Sequence, residues 1–121
     1  MSYVDGFVLP VPKKNLAAYR KLARETGKVW RKHGALDLKE CFVDDLENHW
    51  GGIPFAKLAG AKPGETVVFS FVVYKSRAHR DQVNARVERD PFMNDPKYKD
   101  KPMPFDVKRM ACAGFKVIVD V

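Results

Sequence analysis

Residues 66–74, TVVFSFVVY, decide the fold, because β-branched or aromatic side chains fill nearly every position of the stretch. A strand with this pattern is typical of a sheet covered on both faces, since a strand with one solvated face alternates apolar and polar residues. The stretch is bounded by Gly64 on one side and Lys75-Ser76 on the other. The sequence therefore predicts a central strand whose two faces both need a cover.

The surrounding sequence predicts three more strands and two helices. Apolar side chains recur every three to four residues in the helical segments, and β-branched and aromatic residues dominate the strands. Gly34 is the predicted stop of the first helix, Ser76 the N-cap of the second and Pro91 its end. The predicted strands cover 3–11, 36–43 and 109–121, and the predicted helices cover 15–33 and 77–90.

The two longer connections differ in composition. Residues 44–64 contain several glycines and prolines and predict irregular structure with a short helical turn around 55–58. Residues 91–108 carry four of the eight prolines and predict a long surface connection.

The resulting order is βαββαβ, which predicts an α+β, ferredoxin-like fold with an antiparallel four-stranded sheet in the order 4-1-3-2. Both helices then cover one face of the sheet and leave the other face open. Because a large exposed apolar sheet face is not tolerated on a monomer, we expect a homodimer that packs sheet to sheet. The whole chain, 1–121, is expected to form one domain.

Composition excludes several classes of protein. The 121 residues are 45% apolar and 31% charged, which is typical of a globular protein and not of a disordered one. No apolar run has the length of a membrane span, and the N-terminus lacks the features of a signal peptide, so we expect a cytoplasmic protein. Cys41 and Cys112 are expected to be reduced, buried small hydrophobes on opposite edge strands, too far apart for an intrachain disulfide.

The net charge of +7 comes from one element. Residues 13–32 hold eight basic residues and one acid, Glu25, which together account for the whole excess. Projected on the helix, the basic residues share an arc of roughly 120° opposite the apolar face. This face is either a solvated surface or an electrostatic binding module for nucleic acid or another anionic partner. The residues of that module would be Lys21, Arg24, Lys28 and Arg31.

Sequence-specific recognition of RNA is not expected from this chain. The βαββαβ order is also that of the RNA recognition motif, whose sheet aromatics stack on bases. Residues 64–74, GETVVFSFVVY, lack the basic and glycine-aromatic pattern of that motif. The predicted basic face also lies on the helical side of the sheet, away from any aromatic residues that could stack on bases. Nonspecific electrostatic binding of nucleic acid therefore stays possible.

Several stretches resemble the YbaA-like family of uncharacterised bacterial proteins, a domain of unknown function (number 1428). The resemblance runs from end to end of the chain. It implies a dimeric α+β barrel and implies little about activity, since the family is uncharacterised. The stretches are YVDGFVLPVP at 3–12, GALDLKEC at 34–41, ETVVFSFVVYKSRAHRD at 65–81, DPFM at 90–93 and PFDVKRMACAGFKVIVD at 104–120.

Two carboxylates interrupt apolar strand faces. Asp5 shares a face with Tyr3 and Phe7, and Glu40 shares one with Leu38 and Phe42. Desolvation raises the pKa of such a carboxyl unless a cation or hydrogen bond compensates, so each is either a hypothetical general acid or base or a paired structural group. The 4-1-3-2 order separates the two by roughly 9–10 Å, too far to share a proton.

Four further residues are candidates for ligand contacts. His33 lies near the end of the first helix, His49 and Trp50 adjoin Gly51-Gly52, and Arg109 opens the last predicted strand. Each also has a structural interpretation: helix-end packing for His33, loop packing for His49 and Trp50, and pairing with Asp106 for Arg109. Histidine spacing indicates no metal site, and no cofactor-binding fingerprint is present.

These patterns predict a homodimer that binds a small, unidentified organic molecule in a mostly apolar cavity between sheet and helices. Cofactor-independent turnover is left open, with Glu40 and Asp5 as the polar groups and Arg109 as the anion contact.

Overall fold

The computed structural model describes residues 1–99 and 101–121 of the chain. The elements alternate as the sequence predicts. The strands are β1 (Tyr3–Pro12), β2 (Asp37–Phe42), β3 (Glu65–Tyr74) and β4 (Ala111–Lys116). The helices are α1 (Leu16–Lys32), α2 (Phe55–Ala59), α3 (Arg77–Glu88) and α4 (Pro96–Lys99), with short 3₁₀ turns at Lys13–Asn15 and Val107–Arg109.

The four strands form one antiparallel sheet in the order β2-β3-β1-β4, which confirms the predicted order. β3 pairs with β1 from Tyr3 opposite Tyr74 to Pro12 opposite Glu65. On its other side β3 pairs with β2, with Glu40 opposite Ser70. β2 and β4 are therefore the two edges of the sheet.

The ends of the long helices follow local rules. Gly34 has a φ of +115°, a conformation that glycine adopts without a steric penalty, and it ends the turn after α1. At the start of α3, the Ser76 hydroxyl accepts a hydrogen bond of 3.1 Å from the His79 backbone N–H. These signals confirm the predicted end of the first helix and the predicted start of the second, while α3 ends at Glu88, before the predicted end at residue 90.

The core lies between the sheet and the two long helices. Leu9, Val11 and Tyr74 point from β1 and β3 toward Val83 and Val87 of α3 and toward the buried face of α1. Val29 joins one part of this core, while Tyr19 and Ala23 join the other. Burying these side chains is the main stabilising contribution, at roughly 1.5–3 kcal/mol for each large apolar side chain.

The opposite face of the sheet, which we call the open face, is covered at one end only. Phe55 of α2 packs edge-to-face on Phe69, with ring centroids 6.3 Å apart, and Val67 is buried. Phe69 is nevertheless 43% exposed, and Phe115, on the edge strand β4, is 55% exposed. Within one chain β3 is thus fully buried on its helix side and partly exposed on the other.

Three predictions at the sheet edges need correction. β4 spans only Ala111–Lys116, since β1 begins at Tyr3, opposite Lys116, and so gives 117–121 no strand to pair with. The start of the predicted strand, at Arg109, lies in a 3₁₀ turn. Cys41 and Cys112 are exposed rather than buried, because each lies on an edge strand.

Within the part of the chain that the structure describes, no helix combines the length and apolar character needed to cross a membrane.

Candidate ligand-binding groove

A groove of about 1230 Å³ runs between α1 and the edge strand β2, and we call it the α1–β2 groove. Its apolar floor comes from Leu38, Phe42 and Val68. Gly27 lets the helix approach the sheet closely, since a Cβ there would lie 3.2 Å from Leu38 Cδ2. The groove follows from placing a 17-residue helix beside a short edge strand, which leaves the flank of α1 accessible.

A carboxylic acid and a phenol meet in this groove. The Tyr19 hydroxyl donates a hydrogen bond of 2.6 Å to Glu40 Oε1. Burial of the carboxyl raises the pKa of Glu40, while hydrogen bonding by Tyr19 and then Ser70 opposes that rise. Burial likewise raises the pKa of Tyr19, and its bond to Glu40 adds to the rise. Much of the Glu40 residue is still exposed, because β2 is an edge strand, so its carboxyl can meet a ligand.

Basic side chains line the helix side of the same groove. All four residues of the predicted electrostatic module lie there, together with Arg20: they are Arg20, Lys21, Arg24, Lys28 and Arg31. Among the described residues, no carboxylate forms an ion pair with Arg20, Lys21, Arg24 or Lys28. The predicted carboxylate Glu40 and the predicted basic face therefore border one groove.

Asp5, the other predicted carboxylate, lies outside the groove. It is buried under α3, where Arg80 Nη1 donates a hydrogen bond of 2.7 Å to Asp5 Oδ1. The Arg80 guanidinium also lies 5.0 Å from the centre of the Tyr3 ring, a cation–π distance. Asp5 is opposite Val72 of β3 and Glu40 is opposite Ser70, so the intervening strand keeps the two carboxylates apart.

Arg109 is held by Glu65 rather than by Asp106. Its Nη1 and Nη2 donate to the two Glu65 carboxylate oxygens at 2.7 and 2.8 Å, and Nη2 also donates to the Gly60 carbonyl at 2.7 Å. The hydrogen bonds from Arg109, with a further bond from the Lys62 backbone N–H, lower the pKa of Glu65 to about 2. Asp106 instead accepts a bond from the Lys108 backbone N–H at 3.0 Å, because it caps the 3₁₀ turn. Arg109 lies outside the residues that line the groove.

The remaining candidates also lie elsewhere. His33 Nε2 is 2.7 Å from Asp90 Oδ2 at the end of α1. Trp50 is 96% exposed, and His49 is exposed and 3.5 Å from Glu47. His49, Glu47 and Asp45 each offer a ligand atom within 4.8 Å of the others, an arrangement that is common in exposed loops without a metal.

Tyr19 and Arg80 were not among the sequence-based candidates. Tyr19 has the spacing of the apolar face of α1, so the pattern gives no indication that its hydroxyl reaches β2. Arg80 is 75 positions from Asp5, a separation that no local pattern resolves.

Comparison with known proteins gives a consistent result. The model of the family described as "Protein of unknown function (DUF1428)" matches residues 2–107. The chain belongs to this family. It is 38% identical over 121 residues, 99% of both chains, to "Uncharacterized protein YbaA" of Escherichia coli K12, and equally similar to the protein of that name in Shigella flexneri.

A solved structure agrees on the fold. It is described as a dimeric ferredoxin-like protein from an uncultured marine organism, and it superposes with a TM-score of 0.59 at 15% identity over the full length of both chains. This DUF1428 chain thus has the α+β, ferredoxin-like fold that its sequence predicts.

Proposed function

We propose that the protein is a homodimer that binds a small organic molecule in the α1–β2 groove of each protomer. The main support for the proposal is that one accessible groove contains both an apolar floor and the hydrogen-bonded Tyr19–Glu40 pair. Small-molecule sites are concave and mostly apolar, with a few polar groups that fix the orientation of the ligand. The groove has that composition.

Two observations support the homodimer. Phe69 and Phe115 on the open face are partly exposed, and apolar sheet faces of this kind are usually covered. The similar marine protein is described as dimeric. A second copy packed sheet to sheet would cover the open face while it leaves the α1–β2 groove, on the helix side, accessible.

Glu40 would be the acid or base in any turnover. A carboxyl with a raised pKa can give or accept a proton near neutral pH more readily than an ordinary one. Tyr19 would act as a positioning residue, because its hydroxyl holds Glu40 Oε1. Asp5, Arg109, His33, His49 and Trp50 are not part of the proposed site, since other groups hold them or they lie outside the groove.

An anionic macromolecule is the alternative occupant. The basic residues of α1 border an open groove, so a nucleic-acid backbone could bind along Lys21, Arg24, Lys28 and Arg31. We favour the small molecule because the Tyr19–Glu40 pair and the apolar floor would not contribute to backbone binding.

The test is native mass spectrometry of gently purified protein, with two matched variants. Ala17 and Ala18 are neighbouring exposed residues of α1, but only Ala17 lines the groove. We expect a dimer that carries a discrete small-molecule mass, reduced at least about tenfold in Ala17→Trp and unchanged in Ala18→Trp.

Two outcomes would overturn this proposal. A monomeric parent protein would contradict the homodimer. In contrast, we expect the Phe69→Lys variant to be monomeric, because it places a charge in the interface between the two sheets. A bound mass that persists equally in Ala17→Trp and Ala18→Trp would contradict the groove. Purified protein that carries nucleic acid in place of a small mass would favour the alternative.

A further inference from the structure

We propose that the ligand of the α1–β2 groove is a small amphiphilic anion. Its anionic group, a carboxylate, sulfonate or phosphate, binds the cations of α1. Its apolar body covers the groove floor, and a hydrogen-bond donor at its other end meets Glu40. This inference rests on the proposed function and adds the chemical class and the orientation of the ligand.

The first observation is a row of like charges along one flank of α1. Arg20, Arg24, Lys28 and Arg31 recur every three or four residues and all line the groove. Eleven residues of helix separate the first from the last, about 16 Å at 1.5 Å per residue. Like charges at this spacing repel one another, so the row is unfavourable for the isolated helix.

The second observation is how the cations are paired. Arg80 and Arg109 are held by carboxylates at 2.7 Å in the described structure. Arg20, Arg24 and Lys28 form no ion pair with any described carboxylate. An anionic group bound in the groove would relieve the repulsion along the row, which argues for an anion over a neutral ligand.

The third observation is that the groove has two chemically different sides. Glu40 lies on β2, and an ionised Glu40 only accepts hydrogen bonds, while the arginine and lysine side chains of α1 in the same groove only donate them. Leu38, Phe42 and Val68 supply apolar surface in the same groove. A ligand satisfies both sides if its anionic group faces α1 and its hydroxyl or N–H group faces Glu40.

Two fluorescent probes that differ only in a sulfonate group test whether the groove prefers an anionic ligand over a neutral one of the same shape. Anilinonaphthalene sulfonate, in the isomer with its N–H donor and its sulfonate at opposite ends of the naphthalene, matches the proposed ligand. The corresponding phenylnaphthylamine has the same apolar body and donor without the sulfonate. We expect the sulfonate probe to bind about tenfold more tightly at low salt, with an advantage that shrinks as salt rises. The readout is the dissociation constant of each probe from fluorescence titration.

The charge variant is Arg24→Gln/Lys28→Gln, and its matched control is Lys75→Gln/Arg77→Gln, which removes the same charge from exposed residues outside the groove. We expect the groove variant to lower the advantage of the sulfonate probe about fivefold, and the control to leave it unchanged. Glu40→Gln keeps a hydrogen-bond acceptor but removes a negative charge from the groove, so it should raise the advantage of the sulfonate probe.

The outcomes distinguish this inference from the proposed function. If both probes bind equally and both are lost in Ala17→Trp, the groove binds ligands but has no preference for anions, and the inference is overturned. An advantage of the sulfonate that is unchanged in Arg24→Gln/Lys28→Gln overturns it as well. If neither probe responds to Ala17→Trp, the proposed function itself fails. A single-stranded DNA oligonucleotide that displaces the sulfonate probe at lower concentration would assign the cations to a polyanion instead.

Discussion

The helix-covered side of the sheet has two regions that differ in how their charged side chains are paired. Under α3, Asp5 is paired with Arg80 at 2.7 Å, and nearby Asp90 is 2.7 Å from His33. Beside α1, Arg20, Arg24 and Lys28 have no ion-pair partner among the described residues, and Glu40 is held by a phenol. Charges in the first region satisfy one another, while those in the second are available to a ligand.

This difference shows why a buried carboxylate is not by itself a candidate catalytic group. Asp5 and Glu40 interrupt similar apolar strand faces, yet Asp5 accepts a hydrogen bond from Arg80, while Glu40 lines an accessible groove. An ion pair under a helix is costly to break, because each charge is left desolvated without its partner. A carboxyl at an edge strand can exchange one hydrogen-bond partner for another at lower cost.

The largest effect is expected from breaking the pair under α3. Arg80→Ala leaves Asp5 buried without its cation and should lower the free energy of unfolding by about 3 kcal/mol. Urea denaturation measures this change. Arg77→Ala, an exposed residue of the same helix, is the control and should change the free energy by less than about 0.5 kcal/mol. A loss below about 1 kcal/mol in Arg80→Ala would contradict a structural role for the pair.

A smaller effect is expected at the Tyr19–Glu40 hydrogen bond. Tyr19→Phe removes the donor and should cost about 1 kcal/mol in the free energy of unfolding. A double-mutant cycle with Glu40→Ala isolates the coupling between the two side chains. If the two single effects add without coupling, the 2.6 Å bond does not contribute to stability and Tyr19 does not position Glu40.

An ion-paired carboxylate and the groove carboxylate also differ in their expected pH dependence. The pKa of Glu65 is lowered to about 2 by Arg109, so its contribution to stability is present above about pH 4.5 and is lost as pH falls toward about 2. The pKa of Glu40 is raised by burial, so its contribution is present below about pH 4.5 and is lost as pH rises through its folded-state pKa. Denaturation of Glu65→Gln and Glu40→Gln from about pH 3 to about pH 7 tests both directions.

We expect the Glu65→Gln variant to lose stability relative to the parent protein as pH rises over this range. The Glu40→Gln variant should gain stability relative to the parent over the same range. Parallel pH profiles for the two variants would mean that the paired and the groove carboxylates do not differ in this way.

The smallest effect is expected from removing one unpaired cation. Arg24→Gln reduces repulsion along α1 and should leave the free energy of unfolding unchanged or raise it by up to about 0.5 kcal/mol. Thermal and urea denaturation at low salt measure the change. A loss of more than about 1 kcal/mol would show that Arg24 has a stabilising partner, and the row would then not be free for a ligand.

The sequence predicts the elements of this fold well, because their signals are local. The apolar spacing of α1, the Ser76 cap and the apolar run of β3 each fall within one element. The order of strands follows from the order of elements and the rules for connecting them. Four of the five residues at 117–121 are valine or isoleucine, which favours a strand, but pairing depends on where the neighbouring strand begins.

The site is less predictable, because it depends on contacts between distant residues. The partners of Asp5 and Arg109 are 75 and 44 positions away, and no periodicity identifies them. Glu40 and the basic residues of α1 were both visible in the sequence, but as two separate features. Only the placement of α1 beside β2 brings them to one groove.

The most direct test of the central claim is an amide proton–nitrogen correlation spectrum of the protein titrated with phenylnaphthylamine. We expect chemical-shift changes along Leu16–Lys32 of α1 and Asp37–Phe42 of β2, the two walls of the α1–β2 groove. Changes confined to the open face, at Phe69, Phe71 and Phe115, would place ligands on the dimerisation surface and contradict the groove as the binding site.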